Sequence, residues 1–218
     1  TFNVDKAMGA DDIEIITPEG KTTRPSSSYK GHRKSVIDYF IKDSGTYKVT
    51  NNSAAAYMTT YTVNEKRKRV WKNKAQLTDV LPTSAENIKT SYRKARIETY
   101  ITMNNPTTNF NHQGDFLELQ PVTHPSDIVE NETTTFKLFF NGKPQKNVEV
   151  EIIADGVRYR NDPQVLKLTS DENGDINFTL ANAGRYLLVA EYQESVINNG
   201  LYDVQAGSVF LTFDAQLN

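Results

Sequence analysis

Apolar residues recur at every second position along most of the chain. In the first half the runs are Asp12 to Ile16, Ser35 to Ile41, Thr46 to Val49, Tyr57 to Val63, Arg96 to Met103 and Phe116 to Leu119. In the second half they are Thr134 to Phe140, Val148 to Ile153, Val165 to Leu168, Ile176 to Leu180, Arg185 to Tyr192 and Ser208 to Phe213. A period of two sends successive side chains to opposite faces of a pleated strand, so each run predicts a half-buried strand. Asn141-Gly142-Lys143-Pro144, Asp155-Gly156 and Asn173-Gly174 stand between runs. These pairs supply the positive φ values of tight hairpin turns. Regular short strands with such punctuation predict an all-β protein of two tandem Ig-like or prealbumin-like β-sandwich domains.

An internal repeat supports two units. Ile37, Tyr39, Ile41, Gly45, Tyr47 and Val49 align at one constant offset with Ile176, Phe178, Leu180, Gly184, Tyr186 and Leu188. In each copy an alternating strand ends at a small-residue turn, Ser44-Gly45 or Ala183-Gly184, and a Tyr follows two positions after the Gly. This predicts equivalent, buried places for Tyr47 and Tyr186.

One region does not alternate. From Asn73 to Lys94, Leu77, Leu81, Ile88 and Tyr92 have helical spacing around Pro82, and Thr83-Ser84-Ala85-Glu86 offers a cap, predicting a short helical insertion at about 73–94. The polar stretch from Asn104 to Asn109 contains Pro106 and marks a boundary. The expected division is an N-terminal sandwich at 1–105, lacking its first strand or segment, and a C-terminal Ig-like sandwich at 106–218.

Charge removes one class of partner. With 25 basic against 27 acidic residues, the chain has no overall field for a polyanion, so no nucleic-acid role is expected. No run approaches the roughly 20 apolar residues of a membrane-spanning helix. The absence of cysteine excludes disulfides, thiolate nucleophiles and Cys-ligated zinc. The strongest local charge is Lys66-Arg67-Lys68-Arg69 followed by Val70-Trp71. It reads either as a phosphate-contacting or membrane-interface feature or as a solvated hairpin end with Trp71 tucked onto the sheet edge.

Candidate chemistry is sparse. The three histidines, His32, His112 and His124, match no helical zinc motif and flank no nucleophile elbow, and no nucleophile, base and oxyanion donor occur together, so no enzyme is expected. His124 lies in Val122-Thr123-His124-Pro125-Ser126-Asp127. There Pro125 fixes the backbone and an imidazole and a carboxylate share one turn, two ligands that suit Ni, Co, Zn, Cu or Fe, with Asp115 and His112 completing the set if the chain folds back. The alternative makes His124 a structural residue whose ring nitrogens bond backbone. Asp11-Asp12 and Asp171-Glu172 fall in turns without glycosidase geometry, and Asp171 to Asp175 reads as a hairpin turn rather than a calcium loop.

Several of these segments together resemble a known family. They are Leu117 to Asp127, Phe136-Lys137-Leu138, Asn141 to Pro144, Arg158-Tyr159-Arg160 and Ala183-Gly184-Arg185-Tyr186, with Ser44 to Tyr47 and Lys68 to Trp71 in the first half. The chain resembles a bacterial periplasmic family described as a domain of unknown function, family 4198, formerly grouped with the nickel-uptake component NikM. The resemblance implies export to the periplasm, a two-domain β architecture and a link to transition-metal or TonB-dependent uptake, and with no catalytic constellation the expected role is that of a non-enzymatic binding or accessory protein. It also implies an envelope transport protein or outer-membrane receptor as partner, and a further His-containing segment ahead of the first strand here. The other reading is a structural module that holds a protein or envelope polymer without metal.

Overall fold

A computed structural model of the chain describes residue 7, residues 9–110 and residues 112–218. The first half supplies β1 (Ile13–Ile16), β2 (Thr22–Thr23), β3 (Ser27–Lys30), β4 (Ser35–Asp38), β5 (Gly45–Asn52), β6 (Ala56–Val63), β7 (Lys66–Val70) and β8 (Glu86–Met103). The second supplies β9 (Leu117–Pro121), β10 (Thr133–Phe140), β11 (Lys143–Pro144), β12 (Glu149–Ala154), β13 (Leu166–Thr169), β14 (Asp175–Thr179), β15 (Gly184–Ser195) and β16 (Val204–Ala215). The protein is all-β, as the alternation predicts, with 3-10 turns as its only helical elements among the described residues.

One sheet runs through both halves in the order β13-β12-β15-β16-β8-β5-β1-β2, with β6 and β7 branching from β8. The 18 residues of β8 give it length to serve several neighbours. Along one edge it pairs antiparallel with β5 and β6, and along the other it pairs parallel with β16, from Ser91 opposite Val204 to Thr99 opposite Thr212. A second sheet holds β10 with β9, β11 and β14, and β3 pairs with β4 separately.

The halves bury opposite faces of the shared sheet. Neighbours in register point the same way, so Arg96 and Glu98 share a face with Val209 and Leu211, whereas Ile97 and Ile101 share the other with Asn51 and Tyr47. On the first face lies the main apolar core, where Val150, Ile152, Leu188 and Leu211 meet Phe136, Leu138 and Ile176 of the second sheet. On the other, Ile13, Ile15 and Tyr47 are buried, and Tyr39 meets Tyr47 edge-on at 6.1 Å. On the first face, by the same register, the first half contributes paired hydroxyls rather than aliphatic side chains. Thr46 and Thr102 are 3.1 Å apart, and Thr59 and Thr90 are 2.8 Å apart.

The repeat has a structural counterpart. Gly45 (φ 137°) and Gly184 (φ 142°) share a left-handed φ that disfavours side chains, and each opens a strand of the shared sheet after β4 or β14 in another sheet. In both copies the Tyr hydroxyl donates to the carbonyl four residues upstream, Tyr47 to Asp43 (3.0 Å) and Tyr186 to Asn182 (2.6 Å). Burial is not equivalent: Tyr47 is buried, whereas Tyr186 is half-buried.

Three expectations need correction. The insertion at 73–94 is not helical: a 3-10 turn at Lys74–Gln76 and single turns at Leu77 and Pro82 lead into β8, which begins at Glu86. A spacing of four fits a strand as well as a helix, so Ile88 and Tyr92 fall on one face of β8. Asp155-Gly156 does not close a two-residue hairpin, because Gly156 caps a 3-10 turn at Val157–Tyr159. Trp71 is not tucked away but 59% exposed.

Candidate functional site

The connecting segment between the halves is tied down from several sides. Thr46 and Thr107 exchange bonds, each backbone N–H donating to the other's hydroxyl at 3.0 and 3.1 Å. Buried Arg96 donates to the carbonyls of Asp115 (3.0 Å) and Leu117 (3.3 Å) and pairs with the Asp115 carboxylate. The Glu118 carboxylate accepts from the N–H groups of Gln113 (2.7 Å), Gly114 (2.7 Å) and Asp115 (3.2 Å). Nearby Lys48 and Glu98 form a 2.6 Å ion pair, with Glu98 buried. These charges bond one another and the backbone, except that the second carboxylate oxygen of Glu98, Oε2, is buried without a hydrogen-bond partner.

His124 belongs to the same clamp. Its Nδ1 accepts from the Ser126 N–H at 3.0 Å, which leaves the proton on Nε2. Nε2 lies 2.9 Å from the Thr46 hydroxyl and 3.2 Å from the Thr107 carbonyl, so the ring pins the connecting segment to β5. The Asp127 carboxylate accepts from the Ser126 hydroxyl at 3.0 Å, and His112 stacks on Phe139 at 4.2 Å. Among the described residues no three His, Asp or Glu side chains converge as metal ligands. His124 and Asp127 do share one turn, but both ring nitrogens of His124 are engaged within the protein.

A cavity of about 660 Å³ opens at the ends of β12, β15, β16 and β8, where both halves contribute. Its walls include Tyr100, Ile153, Tyr159, Leu187 and Phe213. Gly156, in the left-handed conformation (φ 83°), turns the chain after β12 into the 3-10 turn that carries Tyr159 outward, 86% exposed. Arg160 donates to the Ala154 carbonyl at 2.8 Å and closes this loop. At the rim Arg185 and Asp155 pair at 3.0 Å, and the Asp155 N–H donates to the Arg185 carbonyl at 2.8 Å. Tyr186 stacks with Phe213 at 5.8 Å, and Tyr100 is held edge-on by Phe110 at 5.2 Å. Burial, and then the charge of Glu98, push the Tyr100 phenol well above its ordinary pKa, so it stays protonated. The cavity thus combines apolar ring faces with a carboxylate and a guanidinium, the lining typical of small-molecule sites.

None of the histidines forms this cavity. Its wall comes from four separated stretches, so no local spacing announces it. The one sequence signal near it is that Arg158-Tyr159-Arg160 and Ala183-Gly184-Arg185-Tyr186, two of the segments carrying the family resemblance, meet there.

No curated protein and no solved structure matches the chain. A family model does match, over residues 1–194, ending before β16, which supplies a central strand of the shared sheet. By that match the chain belongs to the family described as Domain of unknown function (DUF4198).

Proposed function

We propose that this chain is a non-enzymatic binding protein of the bacterial periplasm, made of two Ig-like sandwiches divided near residue 105, and that its ligand is a saccharide unit of an envelope polymer. The observation that carries the reading is the cavity with Tyr159 standing 86% exposed beside the Asp155–Arg185 pair. A sugar ring has an apolar C–H face and a rim of hydroxyls. The first suits an aromatic face; the second suits a carboxylate acceptor beside a guanidinium donor. Leu187 and Ile153 add aliphatic surface to the lining against which such a ring packs.

Calorimetric titration with oligomers of N-acetylglucosamine and of glucose tests this. At least one oligomer is expected to bind, and Tyr159→Ala and Arg185→Ala are each expected to weaken it by about tenfold, the loss of roughly 1.4 kcal/mol. Absence of heat with every oligomer, or affinity unchanged in both variants, overturns the reading.

A further inference from the structure

The basic run forms a strand. β7 is the outermost strand of its branch and pairs only with β6, from Lys66 opposite Val63 to Val70 opposite Thr59. Lys66, Arg67, Lys68 and Arg69 are all exposed. None of the four takes part in an ion pair among the described residues, whereas Lys48, Lys74, Lys94 and Arg96 each do. Arg69 and the exposed Lys89 flank Thr60 from either side and extend the charge across three strands. The carboxylates facing this patch are Glu65, in the turn, and Glu86, which flanks Thr62 opposite Arg67. Positive charge therefore predominates on an edge whose molecule carries a net charge of only −2.

Exposed apolar side chains stand at the same end. Trp71 follows β7 directly and is 59% exposed. Three residues on, the Lys74 N–H donates to the Leu201 carbonyl at 3.0 Å, and the Lys74 ammonium donates to the Asn199 carbonyl at 3.2 Å and pairs with Asp203. These bonds stitch the segment after β7 to the loop between β15 and β16, where Ile197 is 83% exposed and Leu201 is 40% exposed. Asp203 secures the loop further, accepting from the Thr90 N–H at 2.8 Å.

We infer that this end of the molecule, β7 with Trp71 and the loop carrying Ile197 and Leu201, docks on the surface of a membrane containing anionic lipid. Unpaired Lys and Arg meet lipid phosphates, the indole seeks the headgroup boundary, and the aliphatic side chains enter the outermost acyl region. The aliphatic residues decide between lipid and nucleic acid. A nucleic-acid strand offers bases to stack on Trp71 but gives Ile197 and Leu201 nothing to bury against, whereas a bilayer accepts all three. The long Lys and Arg stems let cations from both faces of a single edge strand reach one flat surface.

Trp71 is the chain's only tryptophan, so its emission reports on this patch alone. The full chain is mixed with vesicles of phosphatidylcholine containing 30% phosphatidylglycerol, or of phosphatidylcholine alone, and followed by co-sedimentation and fluorescence. Binding to the anionic vesicles, a blue shift of Trp71 and release by raised salt are expected. Arg67→Gln with Arg69→Gln is expected to weaken partitioning about 25-fold, at about fivefold per cation. Ile197→Ser is expected to weaken it with the salt dependence retained, and circular dichroism checks the fold of each variant. The inference is overturned if anionic vesicles bind no better than neutral ones, if binding leaves the Trp71 emission unmoved, or if the Arg67→Gln/Arg69→Gln protein binds like the parent. It is overturned in favour of nucleic acid if a single-stranded oligonucleotide shifts the emission while vesicles do not. None of these outcomes depends on the saccharide reading of the cavity.

Discussion

Tyr47 and Tyr186 show how one local device is used at two levels of burial. Each hydroxyl reaches back four residues, but Tyr47 also accepts from the Asp43 N–H at 3.0 Å, so its oxygen serves two backbone groups. Tyr47→Phe keeps the ring and strands both, and is expected to cost about 1–3 kcal/mol. Tyr186→Phe loses one half-exposed bond and is expected to cost about 0.5–1.5 kcal/mol. Urea denaturation midpoints check the order, and equal losses would show that burial does not set the difference. These two residues were legible because glycine, turn and tyrosine lie within a few positions of one another. His124 was legible in part: its turn allowed a structural residue whose ring bonds backbone, and the ring does meet the Ser126 N–H and the Thr107 carbonyl, whereas Thr46, 78 residues away, carries no mark in the sequence. The cavity residues are hidden for the same reason: strand order brings Tyr100 and Phe213 together, and the 3-10 turn after β12 brings Tyr159 to them.

At the level of elements, strands with apolar alternation were readable and strands built on polar residues were not. The start of β8 escaped because the inward Thr90 is a polar letter in the sequence, yet it is buried against Thr59 with the hydroxyls 2.8 Å apart. β7 escaped because an edge strand with basic side chains has no apolar period at all, although lysine on an edge also discourages pairing with other chains. The 3-10 turn at Lys74–Gln76 is held to the β15–β16 loop through Asp203. Burial alone would raise the Asp203 pKa, but bonds from Lys74 and the Thr90 N–H, with the Lys74 charge, outweigh it and hold the carboxyl below its ordinary value of 3.8. A carboxyl depressed on folding stabilises above its unfolded pKa, and that contribution fades as pH falls through the folded value. The wild-type advantage over Asp203→Asn is therefore expected to be present at neutral pH and to disappear with acidification below about pH 4. The side chain is 37% exposed, so the advantage is discounted to about 1 kcal/mol or less. Denaturation of both proteins across that range measures it, and a constant difference would remove Asp203 from the account.

For the whole molecule, two units predicted from a repeat are joined by a sheet that neither completes alone. Residues 114–218 hold the main apolar cluster, so this fragment is expected to show β-type circular dichroism and a cooperative melt. It is also expected to self-associate, because the edge of β16 that pairs with β8 from Val204 to Thr212 is then bare. Light scattering over a concentration series tests this, and a strictly monomeric fragment would show that β8 is not needed to cover that edge. The parallel pairing has a further consequence in time. Thr99 donates to the Thr212 carbonyl across 113 residues, which places the closure of the shared sheet among the most non-local contacts of the fold. At a synthesis rate of roughly 5–20 residues per second, β8 leaves the ribosome on the order of 6–20 s before its parallel partner exists. For that interval the first half carries an open strand edge that nothing in the emerging chain can close. The molecule's greatest exposure to misassembly thus precedes the translation of β16.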